Sequence, residues 1–513
     1  MSKVPKTRED LNNDVEKVAK GSGISLLGGV VGKGLFIIIQ IVIVRLFGAE
    51  VFGLYILGLA VARLIEVLSR FGLDFGSMRF VSIYHKNDAA RTKGTILSTL
   101  FMSFLGSVVM AIALYFSAGF IADTFFHKPE LKGVFHVYVF CIPFMSVSFV
   151  SASATQGFHS TKYAIYIREI FQPSINLLLI FLFSFTSLDL MGVVYAFAIS
   201  YFLTFILGIY LLSKLYSNTI VEKTRAIFEI KNILAYSTPL IFASLVNILL
   251  AWTDILILGY FLSSRDVSIY RTASLSPFLL MVVLNSYMSI YAPIIADLFQ
   301  KREMDRMERI LKVTTRWIFF ITLPPMIIMI FYPKVIITLF GSEFINDGAL
   351  TLATLALSNF VNCLSGGLAY TLAMTGKQKI EFVNSTILLV LNIILNIFFI
   401  PIYGIFGAAL AKGITIILIK LFRLAEVYYI YKIHPYSKDY FSGIFAAALS
   451  IIVLCLLGQV NILSQYTLFA IGIFATAGSF LISFYLFARA EEDRHIIQLF
   501  KIKLSRFIIK AGA

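Results

Sequence analysis

Eight ionisable residues lie in stretches otherwise apolar enough to cross a membrane: Lys33, Arg63, Glu66, Arg70, Asp74, Asp254, Arg271 and Lys412. A charge at that depth costs about 3 kcal/mol or more unless it meets a partner or a water-filled cavity. Arg63, Arg70 and Asp74 stand seven and four positions apart. At about 100° per residue they share one helix face to within roughly 40°. Glu66 flanks this stripe, and Arg79 falls on the opposite face, where it reads as an anchor reaching toward the interface. A cationic stripe facing a cavity would bind phosphate, because the planar guanidinium fork donates two hydrogen bonds at once. The alternative is internal neutralisation, Arg63 with Glu66 and Arg70 with Asp74, one helical turn apart.

Lys33, Arg271 and Lys412 extend the set of candidate ligand-binding cations; Lys33 and Lys412 have no local partner in sequence. Glu66, Asp74 and Asp254 have two readings, coupling of an ion such as H+ or Na+, or ion pairing. For Asp254 the pairing candidates are Arg271 and Lys33. The remaining charges read as bland. Arg168-Glu169 looks structural, Glu381 solvated, and Lys420, Arg423 and Glu426 snorkelling. Residues 301–312 read as a solvated, charged connector. Six histidines show no ligand spacing, and Cys141, Cys363 and Cys455 are scattered in apolar runs, so neither a metal nor a cofactor is implied.

These residues need a membrane to position them. The chain has 513 residues, 59% hydrophobic and 14% charged, with a mean hydropathy of +0.88. No soluble fold hides that much apolar surface, which predicts an all-α integral membrane protein. Fourteen apolar stretches reach spanning length, at 22–46, 52–83, 94–117, 134–156, 163–186, 190–213, 233–261, 268–298, 313–332, 349–373, 380–401, 405–431, 440–460 and 466–488. Residues 1–20 are polar and show no cleavable signal, which places the N-terminus in the cytoplasm. With that start, the loops and tails on the inner side carry about 28 Lys and Arg against about 5 outside, and both termini fall inside. The inner set includes Lys377, Lys379 and the tail from Arg494 to Lys510. This bias accounts for the net charge of +15 without nucleic acid.

A repeat divides the spans. Phe52-Gly53-Leu54-Tyr55 follows the first, and Val267-Ser268-Ile269-Tyr270 follows the seventh, 215 residues later. The same offset pairs Gly192 with Gly407, Lys162 with Lys377 and Phe125 with Phe340. An even number of spans separates the copies, so they share one orientation about an axis along the membrane normal. The expected organisation is an N-terminal segment at 1–20, an N-lobe of six spans at 21–215 and a linker at 216–232. A six-span C-lobe at 233–432, two further helices at 433–490 and a basic tail at 491–513 complete it.

The run Arg45-Leu46-Phe47-Gly48-Ala49-Glu50-Val51-Phe52-Gly53-Leu54-Tyr55 resembles the turn after the first helix of polysaccharide flippases, with Phe47 where Leu is commoner. Tyr403-Gly404-Ile405-Phe406-Gly407-Ala408-Ala409 and Met374-Thr375-Gly376-Lys377-Gln378-Lys379 are similar to later motifs of the same group. Over roughly residues 20–430 the chain resembles the O-antigen-type branch of the multidrug/oligosaccharidyl-lipid/polysaccharide exporter superfamily. That resemblance implies two six-helix lobes around a central cavity and alternating access. The implied cargo is a polyprenyl-phosphate-linked oligosaccharide, whose phosphates and acidic sugars suit the cations above, with membrane lipids and polysaccharide assembly proteins as further partners. A peptidoglycan-precursor flippase is an alternative of similar design. An exporter of cationic drugs would favour acidic and aromatic cavity residues over the Arg and Lys found here. A membrane polymerase or ligase would need a large, charged outer loop, and the outer loops are short and bare.

Overall fold

A computed structural model describes the backbone of residues 8–219, 224–437, 439–459 and 464–487, with side chains within 28–217, 224–437, 439–459 and 464–483. The linker core at 220–223 and the basic tail lie outside the described residues. Every regular element among the described residues is a helix, with no strand. Among the described residues, twelve helices are long and apolar enough to cross a membrane. Large side chains such as Phe116, Phe140, Phe185 and Phe474 point outward and exposed, an outer surface suited to lipid rather than water.

The chain forms two compact units, residues 1–268 and 269–513. In the first, α1 runs Arg8–Ser69, α2 Leu73–Tyr84, α3 Ala89–Gly119 and α4 Leu131–Gly157. Then come α5 (Thr161–Ile165), a π-helical turn (Tyr166–Phe171), α6 (Gln172–Phe183), α7 (Asp189–Thr219) and α8 (Ile230–Phe261). The second unit takes most of α9 (Ser264–Gln300), then α10 (Met304–Phe331), α11 (Pro333–Thr338), α12 (Ile345–Leu364) and α13 (Leu368–Met374). It ends with α14 (Gln378–Tyr431), α15 (Tyr440–Gly458) and α16 (Gln465–Phe487).

Two of these helices are not straight rods. Gly48 in α1 has φ 84° and ψ 173°, and Gly404 in α14 has φ 60° and ψ −138°. Neither conformation continues a helix, and side-chain-bearing residues rarely adopt either. Both glycines belong to the motif segments singled out above.

The span read from sequence as 52–83 is also bent. Phe71 and Gly72 both take positive φ, 50° and 68°, and separate α1 from α2. Packing explains the bend. A Cβ on Gly72 would lie 2.4 Å from the Ser237 carbonyl oxygen, and one on Gly76 2.3 Å from Ser237 Oγ. The chain therefore turns so that α2 can lie directly on α8. This corrects the premise that Arg63, Arg70 and Asp74 share one continuous helix.

At the heart of the first unit is α4, packed against α1, α2, α3 and α7. Its contact face is small and hydroxylated: Ser146, Ser148, Ser151, Ala152, Ala154 and Thr155 are all buried. The hydroxyls mostly satisfy themselves on the helix's own carbonyls, as Ser148 does on Phe144 O at 2.6 Å. Ser146 Oγ instead meets Ser69 Oγ at 2.7 Å and ties α4 to the end of α1. In the second unit α12 packs against α10 and α14, and α15 and α16 pack on each other and on α10.

Candidate functional site

The ring of Phe149, on α4, is the centre of the charged cluster. Three guanidinium groups approach it: Arg70 at 4.4 Å, Arg168 at 4.5 Å and Arg63 at 5.9 Å from the centroid. The electron-rich ring face attracts each cation. Nearby carboxylates offset their mutual repulsion. Arg70 Nε lies 2.7 Å from Glu66 Oε1, and its Nη1 lies 3.1 Å from Asp74 Oδ2. Glu66 and Arg70 are buried, 1% and 8% exposed. Neutralisation thus pairs Arg70 with both acids, rather than Arg63 with Glu66 and Arg70 with Asp74.

Arg63 is held differently. Its Nη2 donates to Tyr201 Oη on α7 at 2.6 Å, with the Tyr201 ring 5.4 Å from the guanidinium carbon. It is half-buried. Among the described residues this is its one direct hydrogen-bond partner, which leaves most of the five donors of a guanidinium uncommitted.

Arg168, read from sequence as structural, belongs to the same cluster. It donates from Nη2 to the Phe149 carbonyl oxygen at 2.6 Å and to Ser153 Oγ at 2.7 Å. The π-helical turn Tyr166–Phe171 carries it, followed by Glu169. A Cβ on Gly32 would meet Glu169 Oε2 at 2.6 Å, so Gly32 admits this segment against α1. Lys33 follows directly, half-buried. The available signal was an Arg-Glu pair inside an apolar stretch, here recentred by one widened helical turn.

The structure therefore gathers Lys33, Arg63, Glu66, Arg70 and Asp74 with Arg168 and Glu169 in the first unit. Asp254 is buried on α8 of the same unit. Arg271 on α9 and Lys412 on α14 belong to the second unit, both half-buried. There, Glu381 is not simply solvated and Arg423 does not snorkel. Arg423 Nε donates to Glu381 Oε2 at 3.0 Å, its Nη2 engages the other carboxylate oxygen, and Arg423 is buried. The two halves of α14 face each other, which brings residues 42 positions apart into one pair.

No group of three or more candidate metal-ligating side chains occurs among the described residues. The arrangement can bind anions and can store compensated charge.

At the end of the first unit the linker is fastened. Arg91 Nε lies 3.1 Å from Glu229 Oε1, and Tyr84 Oη donates to Glu229 Oε2 at 2.7 Å. The Tyr84 hydrogen bond, ahead of Asn232 and Arg91, holds the Glu229 carboxyl below its ordinary range. Lys93 Nζ donates to Thr224 O, and Ile227 N to Ala90 O. At the other end Lys128 Nζ donates to Gly259 O, Leu262 O and Phe126 O at 2.7–3.0 Å. A cation there suits the exposed carbonyls at the C-terminus of α8, while burial lowers the Lys128 pKa.

Comparison with known proteins fits this architecture. Residues 18–299, more than half of the chain, match the family described as polysaccharide biosynthesis protein, and residues 239–398 match the family described as MatE. The chain is 23% identical over 236 residues to a probable low-salt glycan biosynthesis flippase, Agl15, of Haloferax volcanii, covering 46% of this chain and 48% of that protein. It is 26% identical over 178 residues to a probable flippase, AglR, of the same organism, covering 33% and 36%. The match thus spans about half the length of these relatives or less. Its fold is similar to that of the lipid II flippase MurJ in an inward closed conformation, with a TM-score of 0.73 at 19% identity, covering 90% of this chain and 98% of that one. These relatives are flippases by description, not catalysts. The chain is a multi-pass membrane protein of the polysaccharide biosynthesis family, within the multidrug/oligosaccharidyl-lipid/polysaccharide exporter superfamily.

Proposed function

We propose that the protein flips a polyprenyl-(di)phosphate-linked oligosaccharide from the cytoplasmic to the outer leaflet, by alternating access through a cationic cavity, for cell-surface polysaccharide assembly. The observation that carries this reading is the cluster around Phe149, above all Arg63, whose donors are largely uncommitted at membrane depth. Arg63, with Lys33, Arg70, Arg271 and Lys412, would hold the phosphates and acidic sugars. Glu66, Asp74 and Asp254 serve as ion-pairing or ion-coupling groups, with H+ or Na+ as the coupling ion. The polyprenyl tail stays in lipid, so no covalent step is required.

The proposed organisation is fourteen spans in two six-span lobes, at 21–215 and 233–432, plus two helices. Several features support it. Breaks at Gly48 and Gly404 divide two of the twelve spanning helices. The packing of α4 on α3 and α7 parallels that of α12 on α10 and α14. Asp189 and Gly404, 215 residues apart, both have positive φ, 41° and 60°, where the last span of each lobe begins. The basic bias supports both termini inside the cell.

The test is leaflet-resolved transport of defined lipid-linked oligosaccharides in proteoliposomes. Robust export of a cationic dye with no movement of any such lipid would overturn the reading. The likeness to MurJ favours one rival cargo, a peptidoglycan precursor, and including that lipid in the same assay decides between them.

A further inference from the structure

In the second unit a groove of about 450 Å³ opens on the outside of α14, between its two halves. Lys379, Val383 and Ile387 follow one another at four-residue steps along the first half. Ile419, Phe422 and Glu426 stand at three- and four-residue steps along the second. The halves run in opposite directions, so both charged residues come to the same end. The other four residues make an apolar floor about 6 Å long, from the rise per residue between Val383 and Ile387. Among the described residues none covers it: Val383, Ile387 and Phe422 are 53%, 48% and 59% exposed.

The mouth is bipolar. Lys379 is exposed and makes no ion pair among the described residues. Glu426 is half-buried, and Asn384 Nδ2 donates to its Oε2 at 2.6 Å, which fixes the carboxylate and still leaves it acceptor capacity. The nearby Arg423 is already neutralised by Glu381. An apolar floor ending in one ammonium and one carboxylate matches an amphiphile with opposite charges in its head.

We propose that this groove binds one bilayer lipid whose headgroup carries both a phosphate and a primary ammonium. The phosphate rests on Lys379, the ammonium donates to Glu426, and one hydrocarbon chain lies along Val383, Ile387, Ile419 and Phe422. A quaternary ammonium has no N–H to donate to Glu426. A headgroup that is only anionic places negative charge beside it. The site rests on the membrane-spanning fold and not on the transported cargo; with the orientation proposed above, its charged end faces the cytoplasmic leaflet.

The experiment is native mass spectrometry of the purified full chain with phosphoethanolamine, phosphocholine and phosphoglycerol lipids of identical chains. The wild type should hold the phosphoethanolamine lipid about tenfold better than either other lipid, the scale of one charge-assisted hydrogen bond. Glu426→Gln should erase the preference over phosphocholine. Lys379→Gln should weaken all three lipids together, and Ile387→Trp should fill the groove and remove the bound lipid. Lys379 is exposed and outside the packed interior, so its variant reports even if the tryptophan variant fails to fold. Equal binding of the three lipids, best binding of the phosphoglycerol lipid, or an unaltered preference in Glu426→Gln would overturn the proposal.

Discussion

Arg63 and Arg70 are the same residue type seven positions apart, yet their surroundings assign them different work. Arg70 compensates two acids, one of them almost wholly buried. Replacing it with Ala leaves Glu66 as an uncompensated charge, at a cost of about 3–5 kcal/mol. The Arg70→Ala protein should therefore unfold at a clearly lower temperature in detergent, and adding Glu66→Gln with Asp74→Asn should restore part of the loss. Arg63→Ala removes one hydrogen bond to Tyr201 and should cost only about 1 kcal/mol in the same measurement. A loss of transport in Arg70→Ala would thus combine folding with cargo binding; one in Arg63→Ala, at matched folded protein, would report on the site. Glu229 supplies a residue-scale prediction outside the spans. Its pKa is lowered chiefly by the Tyr84 hydrogen bond. A carboxyl depressed in the folded state stabilises above its ordinary pKa of about 4.3, and that stability is lost as pH falls through the lower folded value. Thermal unfolding followed from pH 6 downward should fall less steeply in Tyr84→Phe than in the wild type.

At the scale of elements, glycine decides where helices can touch. Gly94 on α3 faces the linker so closely that a Cβ would sit 1.8 Å from the Ile227 carbonyl oxygen. Gly94→Ala should lift the linker from α3, detectable as faster limited proteolysis between residues 216 and 232 with the helical content unchanged. Apolar length made the all-helical, multi-pass character legible, because lipid demands long apolar helices of any segment that crosses it. The bend at Phe71-Gly72 was not legible: it follows from the approach of α2 to Ser237, more than 160 residues away in sequence. The Arg423–Glu381 pair was hidden for the same reason, since it depends on α14 folding back at Gly404. For the candidate site, Lys33, Arg63, Glu66, Arg70 and Asp74 could be picked out one by one as buried-depth charges. Helical spacing could not show that Phe149, Tyr201 and Arg168, from three other segments, complete the cluster.

For the whole molecule, family membership makes the chain a multi-pass membrane protein of polysaccharide biosynthesis, and the function proposed above adds an anionic, lipid-linked cargo. The most direct measurement is the rate at which a polyprenyl-diphosphate-linked oligosaccharide reaches the opposite leaflet of proteoliposomes, compared between wild type and Arg63→Ala at matched folded protein. The account predicts robust wild-type flipping and a drop of about tenfold or more in the variant, the worth of a bidentate guanidinium–phosphate contact. Equal rates in the two proteins, with folding verified, would contradict the assignment of Arg63 to the cargo.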